Sequence, residues 1–195
     1  MNNNDTSFLQ EHSLAPGYIL YVGNIEPRKN ISTLIDAYMQ LSSAFRQDRP
    51  LVLVGSAGWK NESVLARIAA AQLKGFDIRH ITKFISEEAL YQIYASAAVL
   101  VHPALYEGFG MTPLEAMAAG TPTIVANNSS LPEVVGDASL LIDALDAADI
   151  SAKIKEVVQD EEVRRKLIEN GRQRVRQFTW QRSASELLDT VEETL

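Results

Sequence analysis

Two glutamates, Glu107 and Glu115, enclose the segment Gly108-Phe109-Gly110-Met111-Thr112-Pro113-Leu114. An apolar run, Ala98-Val99-Leu100-Val101, precedes them, and the segment opens a predicted helix. A carboxylate in a loop, a glycine turn and a carboxylate in the first helical turn form a cradle suited to a sugar carrying a phosphate. Helix N-termini attract phosphate because their first N–H groups lack intrahelical partners and the macrodipole is positive there. Carboxylates accept strongly from sugar hydroxyls. Thr112-Pro113-Leu114-Glu115 also reads as a capping box, with Thr112 at N-cap and Glu115 folded back on its N–H. Glu107 precedes the turn, so its alternative is an ordinary solvated loop carboxylate.

Three other loops could reach the same ligand. Gly23-Asn24-Ile25-Glu26-Pro27-Arg28-Lys29-Asn30 carries a permissive glycine and two adjacent cations at a predicted helix start, where the dipole disfavours cations. Cations placed against that preference suggest an anionic ligand; a solvated surface pair is the alternative. Gly55-Ser56-Ala57-Gly58-Trp59-Lys60 lacks the Walker spacing, and Trp59 either covers a ligand or packs on the next helix. Lys83-Phe84-Ile85 follows a strand, where Phe84 flanks a base or enters the core. His102 sits at a strand end. No G-x-G-x-x-G fingerprint and no Asp-x-Asp pair occur, so neither a dinucleotide cofactor nor a divalent metal holding a diphosphate is expected, and no cofactor is assigned.

The elements that must position these loops alternate. Strands are predicted at Tyr18–Val22, Leu51–Val54, Ile78–Ile81, Ala98–Val101, Thr123–Val125 and Leu140–Ile142. Between them lie helices from Asn30 or Ser32, from about Asn61 to Lys74, after the Ser86 cap, and from Pro113 to Ala119. From Asp146 the pattern is helical, interrupted at Gly171 and at Phe178-Thr179-Trp180, with Thr179 a new N-cap. The strands are short and apolar on both faces, as in a parallel sheet covered by helices on both sides. Such α/β folds bind ligands beyond the carboxyl ends of their strands. Gly23, Gly55 and Glu107 all follow strand ends and are therefore expected on one rim.

Composition narrows the partners. The 195 residues suit a single domain. A net charge of −7 disfavours nucleic acid, so a phosphate site must be a local basic patch on an acidic body. The absence of cysteine excludes a disulfide framework and thiolate metal sites. No apolar run approaches membrane-spanning length and no signal peptide is evident, so a cytoplasmic location is expected. Residues 1–17 are expected to be a flexible segment or linker remnant, and residues 18–195 the domain.

These motifs together resemble the C-terminal, donor-binding half of a family-4 retaining glycosyltransferase of the GT-B fold. The resemblance rests, in order, on Glu26-Pro27-Arg28-Lys29-Asn30, the Val54-Gly55 turn, Phe84-Ile85-Ser86 and His102-Pro103 through Glu115. Ala119-Gly120-Thr121-Pro122 and Leu131-Pro132-Glu133-Val134 follow. It implies a Rossmann-like sheet and a nucleotide-sugar donor, used without metal. It further implies that Arg28 and Lys29 hold the donor diphosphate and that the backbone of Gly108, Phe109, Gly110 and Met111 approaches phosphates and sugar. Thr112 belongs to the same stretch. Glu107 contacts sugar hydroxyls near the reacting carbon, Glu115 holds the ribose, and Phe84 and Ile85 present backbone to the base. Gly23, Asn24 and Gly55 line the rim.

Two departures stand out. Many relatives carry Arg after the first glycine, where this chain has Asn24, so phosphate neutralisation falls to Arg28 and Lys29. A glycine often precedes the aromatic position, where this chain has Lys83. The Glu-Pro-Arg-Lys-Asn loop resembles bacterial mannosyltransferases, which puts GDP-mannose first among donors, with UDP-glucose and UDP-N-acetylglucosamine open. The resemblance also implies an N-terminal acceptor-binding domain missing from this chain, and a glycan or lipid-linked acceptor. The complete enzyme would sit at the inner membrane face. A nucleotide-sugar epimerase half-domain and a non-catalytic nucleotide-sugar-binding module are the competing classes.

Overall fold

The computed structural model describes residues 7–83 and 85–194. Among them, six parallel strands form one sheet: β1 (Ile19–Val22), β2 (Leu51–Val54), β3 (Ile78–Ile81), β4 (Val99–His102), β5 (Thr123–Ala126) and β6 (Ser139–Ile142), in the order β3-β2-β1-β4-β5-β6. This is the doubly wound, Rossmann-like arrangement expected from the alternating pattern. The chain winds outward from β1 to β3, then returns to the far side of β1 to begin β4. Loops after β1 and β4 consequently leave the sheet in opposite directions, and a crevice opens between them at the reversal of strand order.

Because the strands are buried on both faces, alternate residues serve two layers. Ile19, Tyr21, Leu51 and Leu53 face a core shared with α2 (Ile31–Gln40), α4 (Glu62–Leu73) and α8 (Ala147–Gln159). Leu20, Val52, Val54 and Leu100 face the layer of α5 (Glu87–Ser96). A third cluster lies under α6 (Met111–Ala118) and α7 (Leu131–Val135), joined by Phe178. Each large side chain fully removed from water contributes roughly 1.5–3 kcal/mol before ordering entropy is charged against it.

Side-chain caps set several helix starts. Ser86 Oγ accepts from the Ala89 N–H at 3.2 Å. Asp146 caps α8, and Asp160 both ends it and caps α9 (Glu161–Val175). Thr179 Oγ1 accepts from the Arg182 N–H at 3.2 Å at the start of α10 (Trp180–Thr194). Gly171, expected to interrupt the helical pattern, instead lies inside α9. An added Cβ there would lie 3.1 Å from Met117 Cγ, so the glycine is a notch that lets α9 approach α6.

Part of the segment expected to be flexible is packed. Residues 7–17 include a helix, α1 (Ser7–Glu11), and Leu9 and Leu14 are buried with Tyr18, Ile93 and Tyr94. Lys83 Nζ donates to Glu11 at 2.9 Å and Arg79 to the Ser13 carbonyl at 2.7 Å. Residues 1–6 lie outside the described residues.

The rim glycines have a structural reason. Gly55 has φ +146°, and a Cβ on it would overlap the Gly23 carbonyl oxygen and lie 2.6 Å from the carbonyl carbon. The loops after β1 and β2 therefore touch backbone to backbone, tied by Ile25 N–H to Ser56 O at 3.0 Å and Gly58 N–H to Ile25 O at 3.1 Å. Gly55→Ala should cost at least about 3 kcal/mol, combining a disfavoured backbone angle with a main-chain overlap. Chemical denaturation of the variant checks this, and a loss below about 1 kcal/mol would contradict it.

Candidate functional site

The site forms where β1 and β4 part. Their register covers only Ile19 with Val99 and Leu20 with Leu100, against four pairs between β1 and β2. Beyond it the two loops are stitched together again. The Leu105 N–H donates to the Arg28 carbonyl at 2.7 Å. Asn30, in the left-handed region at φ 56°, donates its side-chain amide to the carbonyls of Pro103 at 3.2 Å and Ala144 at 2.6 Å. Asn30 occupies the N-cap position of α2 but makes no side-chain cap; it is a clamp between three loops.

Arg28 and Lys29 lie in a 3₁₀ turn, Pro27–Lys29, ahead of α2. They stand at the helix start as expected, just ahead of the Asn30 N-cap and outside the first turn of α2. What brings them together is Glu107. Lys29 Nζ and His102 Nε2 both donate to Glu107 Oε1, the latter at 2.8 Å, and Arg28 Nη1 donates to Oε2 at 3.2 Å. Arg28 also reaches Glu26 Oε2 at 3.1 Å. Lys29 and Glu107 side chains are each 11% exposed, whereas Arg28 is 42% exposed. The alternative of a solvated carboxylate at Glu107 is thereby set aside. Its loop is held from the other side as well: the Glu107 N–H donates to Ser129 Oγ at 3.0 Å, and Ser130 Oγ donates to the carbonyls of Glu107 at 3.0 Å and Phe109 at 2.8 Å.

Burial raises the pKa of Glu107, but hydrogen bonds from His102 and Lys29 outweigh it and hold the carboxyl at about 2, below the ordinary 4.5. Burial pushes His102 below the ordinary histidine value, only partly offset by its bond to Glu107. His102 is therefore a neutral ring donating a hydrogen bond, and the ionic partners of Glu107 are the two cations.

Glu115 stands apart from this cluster. Helix α6 begins at Met111 after an N-cap at Gly110, with φ 111° and ψ 51° and no side-chain cap. The capping box expected at Thr112 does not form, because the glycine's positive φ starts the helix before Thr112 is reached. Thr112 and Pro113 are already inside the helix. Glu115 instead accepts from the Tyr94 hydroxyl at 2.8 Å. Burial, reinforced by the Glu115 charge, raises the Tyr94 pKa, so the phenol stays a donor. Beside Glu115 a groove of about 620 Å³ is lined by Phe109, Met111, Leu114, Phe178 and Trp180 among others. Phe109 meets Phe178 edge-on at 5.7 Å.

Of the remaining expected residues, Gly108, Phe109 and Met111 are exposed beside Glu107, and Gly23 and Gly55 form the rim floor. Asn24 is exposed, its carbonyl accepting from the Tyr21 hydroxyl at 3.2 Å. Ile85 packs at the edge of the α5 core; Phe84 lies outside the described residues. Trp59 is 55% exposed, with the Lys60 ammonium 5.5 Å from its ring centre, so it does not pack away on α4. Tyr94, Ser129 and Ser130 are site-building residues that the motif pattern did not single out, and the motif gave Asn30 no role as a clamp between loops. Only long-range contacts reveal them.

Residues 4–174 match the family model for glycosyl transferases group 1. The chain belongs to that family. It is 39% identical over 182 residues to an O-antigen chain mannosyltransferase B of Escherichia coli, covering 93% of this chain and 47% of the relative. It is 33% identical over 178 residues to the serotype-specific mannosyltransferase WbdA of the same species, covering 91% and 22%. The chain thus spans half or less of the length of these curated relatives. Among solved structures, sucrose-phosphate synthase of Thermosynechococcus elongatus superposes with a TM-score of 0.81 at 28% identity, over 97% of this chain and 48% of that one. Anabaena HepE in complex with UDP superposes at 0.79 and 19% identity, over 97% and 52%, and so shares the fold. Among the described residues no helix is long and apolar enough to cross a membrane.

The depressed pKa of Glu107 has a stability consequence with a definite sign. A carboxyl with a folded pKa near 2 and an ordinary unfolded value stabilises the fold above about pH 4.5, and that contribution is lost as pH falls toward 2. Glu107→Gln should therefore be less stable than the parent at pH 7, because Lys29 loses its counter-charge. The gap should narrow as pH falls from about 5 to about 2, at about 1.4 kcal/mol per unit of pKa difference at most. Urea midpoints of both proteins across that range check it; a gap that does not change with pH would contradict it.

Proposed function

We propose that this domain holds the nucleotide-sugar donor of a retaining glycosyltransferase of the GT-B type. The observation that carries the reading is the convergence of Arg28 and Lys29 on one carboxylate in the crevice between β1 and β4. Two cations fixed at the switch point of a doubly wound sheet suit a diphosphate. As the bond from the anomeric carbon to the leaving diphosphate breaks, negative charge grows on the phosphate oxygens, and cations already in place stabilise it without reorganising. GDP-mannose is the favoured donor, supported by the Glu-Pro-Arg-Lys-Asn loop and by mannosyltransferases among the relatives.

In this reading the diphosphate takes over Arg28 and Lys29, and Glu107 turns to the sugar hydroxyls near the reacting carbon. The main chain from Gly108 to Met111 lies against phosphates and sugar, with Thr112 one residue into α6. Glu115, steadied by Tyr94, holds the ribose, and the main chain at Phe84 and Ile85 meets the base. Gly23, Asn24 and Gly55 border the diphosphate. The acceptor, a glycan or a lipid-linked sugar, is held by an acceptor-binding domain, for which the greater length of the relatives leaves room. No divalent metal takes part.

Calorimetry of the chain with GDP, UDP and ADP, without added metal, tests the site. Binding of at least one at millimolar concentration or better is expected, strongest for GDP; binding only with magnesium, or none, would count against it. The two glutamates should separate. Glu107 competes with the diphosphate for the same cations, so Glu107→Gln should tighten nucleoside diphosphate binding by a few-fold while removing the extra affinity of the sugar-bearing donor. Glu115→Gln should weaken nucleoside diphosphate itself. The opposite assignment of effects would mean the roles are reversed.

Positioning the acceptor hydroxyl in a dry site can account for about 7–11 kcal/mol of a barrier. The chain alone should therefore turn over no donor to acceptor, and should do so once the acceptor-binding domain is supplied. Multiple turnovers by the chain alone, followed by product chromatography, would contradict this half-enzyme reading.

A further inference from the structure

Glu107 faces a conflict that its hydrogen bonds make visible. Its carboxylate has three side-chain donors: Lys29 and His102 on Oε1 and Arg28 on Oε2. If the two cations are to grip a diphosphate, they must loosen their hold on the carboxylate. Of the three donors to its carboxylate, one would then remain. That donor is His102.

His102 cannot follow the ligand. It is 1% exposed at the end of β4 and lies near-parallel to Tyr21, with ring centres 6.3 Å apart and an 11° angle between planes. The Tyr21 hydroxyl is itself held by the Asn24 carbonyl. Nδ1 of His102 is buried and has no hydrogen-bond partner among the described residues. Nothing therefore draws the ring proton away from Nε2, and Nε2–H remains aimed at Glu107 Oε1 at 2.8 Å. A ring that is fixed, neutral and committed to one acceptor is a post rather than a ligand-binding group.

We infer that His102 is a positioning residue that anchors the Glu107 carboxylate while donor binding draws Arg28 and Lys29 onto the diphosphate. The inference rests on the donor-site reading above. His102 touches neither diphosphate nor sugar; it keeps one oxygen of Glu107 in place so that the other is presented to the sugar. Its neutrality matters. A charged imidazole would compete as a third cation for the carboxylate and draw it inward, whereas a neutral N–H orients it and leaves its charge available to sugar hydroxyls.

The test compares GDP with GDP-mannose on the same protein by calorimetry, for the parent, His102→Phe and His102→Gln. Phe keeps a ring against Tyr21 but has no donor. Gln carries an N–H near the position of Nε2. For His102→Phe, GDP affinity should stay within about threefold of the parent, while the advantage of GDP-mannose over GDP should fall by about ten- to a hundredfold or to nothing, the loss expected for one hydrogen bond to a charged group. His102→Gln should restore most of that advantage.

A merely structural role predicts a different pattern, in which both ligands weaken together and Gln rescues neither. That pattern would overturn the inference, as would an undiminished GDP-mannose advantage in His102→Phe. Should the Phe variant fail to fold, His102→Leu serves in its place, judged by the same ratio. Failure of the parent to bind GDP or GDP-mannose at all would sink the donor site itself and this inference with it. Normal GDP binding with an unchanged ratio sinks the inference alone.

Discussion

A single carboxylate shared among three donors organises the upper face of this domain. Glu107 joins the loop after β4 to the 3₁₀ turn after β1 through Lys29 and Arg28, and to the strand end itself through His102. The reversal of strand order makes this joint necessary. Loops leaving β1 and β4 diverge, and without a bridge their polar ends would stand apart over an open crevice. The main-chain bond from Leu105 to Arg28 and the Asn30 amide set the spacing. The charges then fill the gap.

That arrangement is costly in isolation. Lys29 and Glu107 are largely withdrawn from water, and burial opposes ionisation of the Glu107 carboxyl. Three donors on two carboxylate oxygens are what make the ionised state the favoured one. The wider protein does not supply the field, since its net charge is −7. The basic patch is local, built from two adjacent residues in a turn whose last residue hands over to an asparagine in the left-handed region.

The sheet was legible because buried parallel strands leave a strong mark: short β-branched runs, stopped by glycine or proline, with helices between. The rim was legible for the same reason, since strand ends fix where loops emerge. What sequence could not show were contacts between residues far apart in the chain. Glu107 and Lys29 are separated by the whole of three strands, and nothing in either loop announces the pairing. Local reasoning failed where backbone geometry overrode side-chain chemistry. Thr112, Pro113 and Glu115 had the chemistry of a capping box, but Gly110 at positive φ had already begun the helix, freeing Glu115 for Tyr94. Gly171 had the look of a helix break, but its missing side chain is used for packing against Met117. Arg28 and Lys29 do stand at a helix start, but in a 3₁₀ turn ahead of the N-cap, and the carboxylate they meet comes from the loop after β4, which local reasoning could not supply.

The same physics bears on why the proposed diphosphate site would keep an internal anion. Two cations brought close in a partly dry crevice repel each other, and a fold that left them unpaired between ligand encounters would pay for it in stability. A resident carboxylate solves that problem, but it also competes with any incoming anion. The competition stays tolerable only if the carboxylate can be released without becoming a new unpaired charge. His102 meets that condition: it is buried, uncharged, and has its Nε2–H turned toward the oxygen that Lys29 shares. In the proposed donor site, fold stability and ligand exchange would both depend on one group having two kinds of partner, cations that can leave and a neutral donor that cannot.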